Sequence, residues 1–299
     1  MTPTPTAEDI HHRAEELGAD LPPLLVAAER VAATVSQGVH GRRRVGQGET
    51  FWQFRRYQSG DSAQQIDWRQ SAKSQRVYIR ETEWEAAESV WLWCDGTASM
   101  DFRSSPDLPT KSDRAVLLTL ALSALLIRGG EHVALSGHGR PPSTGRAALL
   151  EMAAILSQES NPENIAPLNM PTDEPMPRDA RIILFGDFLD PVDQIRTSLD
   201  AITAKGVRGH MVRIIDPAED GLPYSGRVLF EGCESDGEVL LDGVEDVRQT
   251  YGEIWRAHGE ALEAAARSSG WGYIAHHTDR PAEEALLHLY LLLSNQVSA

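Results

Sequence analysis

The sequence predicts an α/β protein: a mainly parallel central sheet, preceded by a smaller N-terminal lobe of helix and β structure. Three observations carry this. The stretches 90–94, 181–185 and 210–215 are rich in apolar residues without regular alternation, as in strands buried on both faces. Helical patterns separate them, which gives a parallel order. Between residues 40 and 80 the chain turns basic, aromatic and glycine-punctuated, matching neither pattern. The predicted division is therefore a lobe at 1–85 and a sheet domain at 86–299.

In chain order, residues 1–20 are polar and acidic, and Leu24–Val35 has helical spacing that Gly38 can stop. The basic stretch carries Arg42, Arg43, Arg44, Arg55, Arg56, Arg69, Lys73, Arg76 and Arg80 against Glu49, Asp61 and Asp67. Phe51, Trp52, Phe54, Tyr57, Trp68 and Tyr78 are interleaved with them, a composition that protein interfaces use for hot spots. Arg55, Arg56, Trp68 and Arg69 are the candidate partner-binding residues. The competing reading pairs these arginines internally with the acidic main domain.

Val90–Asp95 is the central strand. Ser112-Asp113 can cap a helix over Arg114–Arg128, whose sides are almost all apolar. His132–Ser136 is the second strand, Arg146–Leu156 a helix, and 161–178 a Pro/Asn-rich loop. The strand at 181–185 runs into Gly186-Asp187-Phe188. A helix over Val192–Ala204 leads to the strand at 210–215. Arg227–Glu231 and Glu238–Leu241 flank Ser-Asp-Gly as a hairpin. Val244–Ser268 is a long helix, Tyr273–His276 the last strand and Pro281–Ser294 the closing helix. No internal repeat is visible.

The net charge of −16 over 299 residues argues against general nucleic-acid binding and against adhesion to anionic membranes. Two cysteines, Cys94 and Cys233, support no disulfide framework and fit a reducing compartment. The first twenty residues lack the apolar core of a signal peptide, and no stretch approaches the ~20 apolar residues of a membrane span. Cytoplasm is the expected location.

The chemistry centres on Asp95-Gly96-Thr97-Ala98-Ser99-Met100. A carboxylate at the end of a buried strand, then hydroxyls two and four residues on, offers the all-oxygen ligands that suit Mg²⁺ or another hard divalent cation. The competing reading is a loop whose Asp, Thr and Ser only cap the next helix. Asp-x-Thr-x-Ser resembles the metal-ion-dependent adhesion site of von Willebrand factor type A domains, with Thr97 where that family has Ser. The resemblance implies a Rossmann-like fold and a site built from three loops. Asp187 matches the distal aspartate, and Thr144, with Ser143 beside it, is the best candidate for the middle-loop ligand.

A second resemblance covers nearly the whole chain. Gly46-Gln-Gly48-Glu-Thr-Phe51, Phe54-Arg-Arg-Tyr57-Gln-Ser-Gly60-Asp61, Ile66-Asp67-Trp68-Arg69-Gln-Ser-Ala72 and Arg80-Glu81 resemble the signature of domain-of-unknown-function family fifty-eight. Asp216-Pro217-Ala-Glu219 and Leu222-Pro223-Tyr224-Ser-Gly226 resemble the same family. This implies a von Willebrand A-like domain working with a MoxR-type AAA+ ATPase, a class thought to act as chaperones or remodelling machines.

Enzyme motifs are missing. There is no second aspartate two residues after Asp95, no Lys-Ser/Thr after the early glycines, no Gly-x-Ser-x-Gly and no His-Glu-x-x-His. His138 could approach the site but reads better as a loop histidine. The expected function is thus a non-enzymatic protein-interaction module whose metal grips an acidic ligand on the partner. The alternative is a metal-dependent phosphohydrolase using Asp95 and Asp187.

Overall fold

The computed structural model describes residues 23–39, 51–56, 68–73, 77–82, 89–159, 170–171, 173–234 and 237–295. Two compact units emerge, one spanning residues 40–87 and the other 1–39 together with 88–299, so the N-terminal helix groups with the sheet and not with the lobe expected at 1–85.

In the smaller unit, β1 (Phe51–Arg56) pairs antiparallel with β2 (Tyr78–Thr82), with a register shift between Phe51 and Gln53. A single helical turn, α2 (Trp68–Ser71), lies between them in sequence. Ser71 Oγ accepts from the Tyr78 N–H at 2.9 Å, fixing the start of β2. Much of the quoted family signature lies outside the described residues, as does the stretch 1–20.

The larger unit begins with α1 (Pro23–Val39), whose Leu25, Ala28, Ala32 and Val35 are buried at helical spacing. It continues through β3 (Ser89–Cys94), α3 (Lys111–Arg128), β4 (His132–Leu135), α4 (Gly145–Glu159), β5 (Arg181–Gly186) and α5 (Val192–Ala204). Then come β6 (Arg208–Ile215), α6 (Pro217–Gly221), the hairpin β7 (Val228–Glu231) and β8 (Glu238–Leu241), α7 (Val244–Ser268), β9 (Gly272–His277) and α8 (Ala282–Asn295).

The five strands β4-β3-β5-β6-β9 form one sheet in that order, and every pairing is parallel. Both faces are covered. Val90 and Leu92 of β3 join one core with α1, α3, α4 and α8, while Trp91 and Trp93 join the other, which α5 and α7 close. That is why the strands read as apolar runs rather than alternating ones. From β3 the chain steps outward to β4, then returns to the other side of β3 to lay down β5, β6 and β9 in turn. The order therefore reverses between β3 and β5, and their carboxyl ends splay around a crevice.

Two boundaries differ from the sequence reading in ways that matter. Thr110, not Ser112 or Asp113, is the cap of α3: its Oγ1 accepts from the Asp113 N–H at 2.9 Å, and Asp113 accepts from the Thr110 N–H. The helix starts at Lys111, and this brings the lysine into the interior. After β4 the chain doubles back, so that Ser143 pairs antiparallel with Val133. Among the described residues no helix is long and apolar enough to cross a membrane.

Candidate functional site

Asp95 and Asp187 meet at the crevice between the ends of β3 and β5. The Asp95 N–H extends the ladder by donating to the Phe185 carbonyl at 2.8 Å. Its carboxylate then packs on Gly186, where a Cβ would stand 2.9 Å from Oδ2, so only glycine leaves room at this crossing. After Asp187 the chain turns through Phe188 at φ 53°, a left-handed conformation that a bulky residue adopts only under constraint. Three contacts supply that constraint. Phe188 is buried near Trp93, its carbonyl lies 2.8 Å from His258 Nε2, and Arg213 Nε donates to the Asp187 carbonyl at 3.3 Å.

Four side chains then follow in a line. Thr97 gives both its N–H and its hydroxyl to Asp95 Oδ1, at 3.0 and 2.8 Å. Ser99 Oγ donates to Asp187 Oδ2 at 2.7 Å, and the two hydroxyl oxygens stand 3.1 Å apart. A hydroxyl has one proton. With both protons given to the carboxylates, Thr97 Oγ1 and Ser99 Oγ keep lone pairs for a further partner. Oxygens bound to Mg²⁺ at 2.0–2.1 Å and at right angles lie about 3 Å from each other, which is the spacing found here. Asp95, Thr97 and Ser99 are the residues that could offer oxygens to a hard dication, with Asp187 beside them. Among the described residues no cluster of three or more His, Cys, Asp or Glu side chains is arranged to hold a metal, so hydroxyls have to complete any such site.

Two groups that the motif did not reveal stand in the same place. Lys111 is fully buried, and its ammonium donates to Asp187 Oδ2 at 2.8 Å and to Glu219 Oε1 at 2.5 Å. Glu219 is held by α6, where its other oxygen accepts from the Asp216 N–H at 2.8 Å in a capping box. Burial alone would pull the lysine toward neutrality, but the two carboxylates outweigh it and hold the ammonium charged. Among the described residues Asp95 has no such counter-ion. Burial, and secondly the neighbouring Asp187 carboxylate, push its pKa from 3.8 up to about 6, against the lowering effect of the Thr97 hydrogen bonds.

These groups floor an open cavity of about 670 Å³. Phe102, Leu222, Tyr224 and the hairpin residues Val228, Leu229 and Phe230 give it an apolar wall, and Asp190, Glu231 and Glu234 add carboxylates at its lining. Thr144 is not brought here. Because Ser143 pairs with Val133 near the start of β4, Thr144 lies back along the sheet, exposed, at the entry to α4. His138 is likewise elsewhere, against the Ser136 carbonyl in a smaller cavity beside β4. Trp68 and Arg69 are exposed on the smaller unit, and Arg55 and Arg56 end β1.

A family model described as "Protein of unknown function DUF58" matches residues 53–261. Uncharacterized proteins of Mycobacterium bovis and Mycobacterium tuberculosis are each 27% identical to this chain, over 87% of it and 87% of their own length. Among solved structures, the conserved hypothetical protein BatB from Bacteroides thetaiotaomicron matches at 14% identity and TM-score 0.41, covering 70% of this chain and 100% of that one. An aerotolerance-related membrane protein from Bacteroides fragilis matches at 13% identity and TM-score 0.40, covering 67% and 95%.

Proposed function

We propose that this chain, which belongs to the DUF58 family of proteins of unknown function, is a non-enzymatic interaction module with a von Willebrand A-like, metal-dependent partner site. One observation carries the reading: two hydroxyls and two aspartates from different loops converge at ligand-to-ligand distances on the floor of an open cleft. A bound Mg²⁺ would supply an open, positively charged coordination position for a partner's Asp or Glu. Asp95 supplies the ligand charge, Thr97 and Ser99 supply neutral oxygens, and Asp187 orients Ser99. The apolar wall offers the rest of the partner a surface that excludes water. The sequence resemblance implies a MoxR-type AAA+ ATPase as that partner.

Calorimetric titration with Mg²⁺ tests the metal, and affinity capture from the native cell with and without EDTA tests the partner. The reading requires Mg²⁺ binding that Asp95→Ala abolishes. It also requires recovery of a MoxR-type ATPase that is lost both in EDTA and with the variant. Equal recovery in all cases would reduce the motif to a helix cap. Turnover of a phosphoester that needs Mg²⁺ or Mn²⁺ and Asp95 would instead favour a phosphohydrolase.

A further inference from the structure

Lys111 has no part in the reading above, yet it is the most deeply placed cation at the cleft. The floor carries three carboxylates, Asp95, Asp187 and Glu219, and one ammonium. That ammonium lies on Asp187 and Glu219 and makes no contact with Asp95. Asp187 Oδ2 is thereby taken up twice, by Ser99 and by Lys111. Three carboxylates without a cation would outweigh a dication and leave the floor repelling an anionic partner. With one ammonium shared between Asp187 and Glu219, a dication at Asp95 balances the floor instead of being outweighed by it.

We infer that Lys111 is a specificity-determining residue of this site: a resident cation, shared by Asp187 and Glu219, that offsets one floor carboxylate, holds divalent-metal affinity low, and keeps a metal-loaded floor from repelling an anionic ligand. This rests on the metal reading proposed above.

The test is calorimetric titration of the full chain with Mn²⁺ and Mg²⁺, comparing the parent with Lys111→Met and Glu219→Gln. Removing the ammonium removes a like charge from beside the dication, so Lys111→Met should bind at least about tenfold more tightly. Glu219→Gln makes the floor less negative and leaves the ammonium to Asp187 alone, so it should bind several-fold more weakly. A purely structural lysine would lower the melting temperature in both variants without moving the affinities in these opposite directions. Lys111→Met leaves two buried carboxylates without their cation. If that variant is unfolded in EDTA, recovery of its circular dichroism on adding Mn²⁺ supports the inference, and without recovery Glu219→Gln decides. A parent that binds metal beside a folded Lys111→Met that binds no tighter overturns the inference alone, as does unchanged or tighter binding by Glu219→Gln. Binding by Lys111→Met but not by the parent supports the resident cation and overturns the metal reading. Binding by neither overturns both.

Discussion

Replacing Asp95 with Asn should stabilise the metal-free protein while abolishing its response to Mg²⁺. The Asp95 side chain is buried, and its pKa stands at about 6 in the folded state against 3.8 ordinarily. Between those values the native state holds the proton more tightly than the unfolded chain does, so stability falls as pH rises through that window. The cost is absent below about pH 4 and fully present above about pH 6, where it reaches about 3 kcal/mol. Asparagine keeps an Oδ1 to accept from both Thr97 donors and carries no charge to desolvate. The variant should therefore gain up to about 3 kcal/mol at pH 7.5, or roughly 6–12 °C in melting temperature for a domain of this size. Urea denaturation in EDTA at pH 4.5, 6 and 7.5 should show the gap opening with pH. Added Mg²⁺ should raise the midpoint of the parent only, because only a ligand of the native state stabilises it. A variant less stable than the parent at pH 7.5, or a gap independent of pH, would refute the argument.

Thr97→Ala and Ser99→Ala should each weaken Mg²⁺ binding without abolishing it, since each removes one neutral oxygen and leaves Asp95. Calorimetry would contradict this if either variant bound like the parent. Gly209→Ala should destabilise by about 1–3 kcal/mol, because a Cβ there would stand 2.3 Å from the Trp271 ring, which is fixed by its bond to Thr203. An unchanged thermal midpoint would mean that the ring can move. Arg55→Glu with Arg56→Glu, and separately Trp68→Ala, should weaken partner binding and leave the melting temperature unaltered. A lowered melt with unchanged affinity would end the interface reading.

The sheet was legible because burial on both faces writes itself into β3, β5 and β6 as apolar runs, and Asp95 and Asp187 declared themselves by ending two of them. Strand order was not, since no local pattern says that the chain passes back beside β3 before laying down β5. Lys111 and Glu219 were missed for a related reason. A lysine next to a helix cap reads as solvated, and only the fold brings α6 against the start of α3. Thr110 was the available signal: as a cap with Asp113 three residues on, it begins the helix early enough to turn Lys111 inward. Thr144 failed as a candidate because the loop after β4 runs back along the sheet, a path set by the Val133–Ser143 pairing rather than by loop length.

The β7–β8 hairpin pairs with no other described strand, and its ladder runs only from Val228↔Leu241 to Glu231↔Glu238. A two-stranded ribbon of that size is marginal on its own in water, so its ladder should open more readily than that of the sheet. Its amides should exchange faster than those of β3 and β5, which lie inside the five-stranded sheet. On that expectation the oxygens at the cleft floor are held by the sheet, whereas the wall formed by Val228, Leu229 and Phe230 rests on four residue pairs, and an incoming chain would meet a fixed array behind a boundary able to yield.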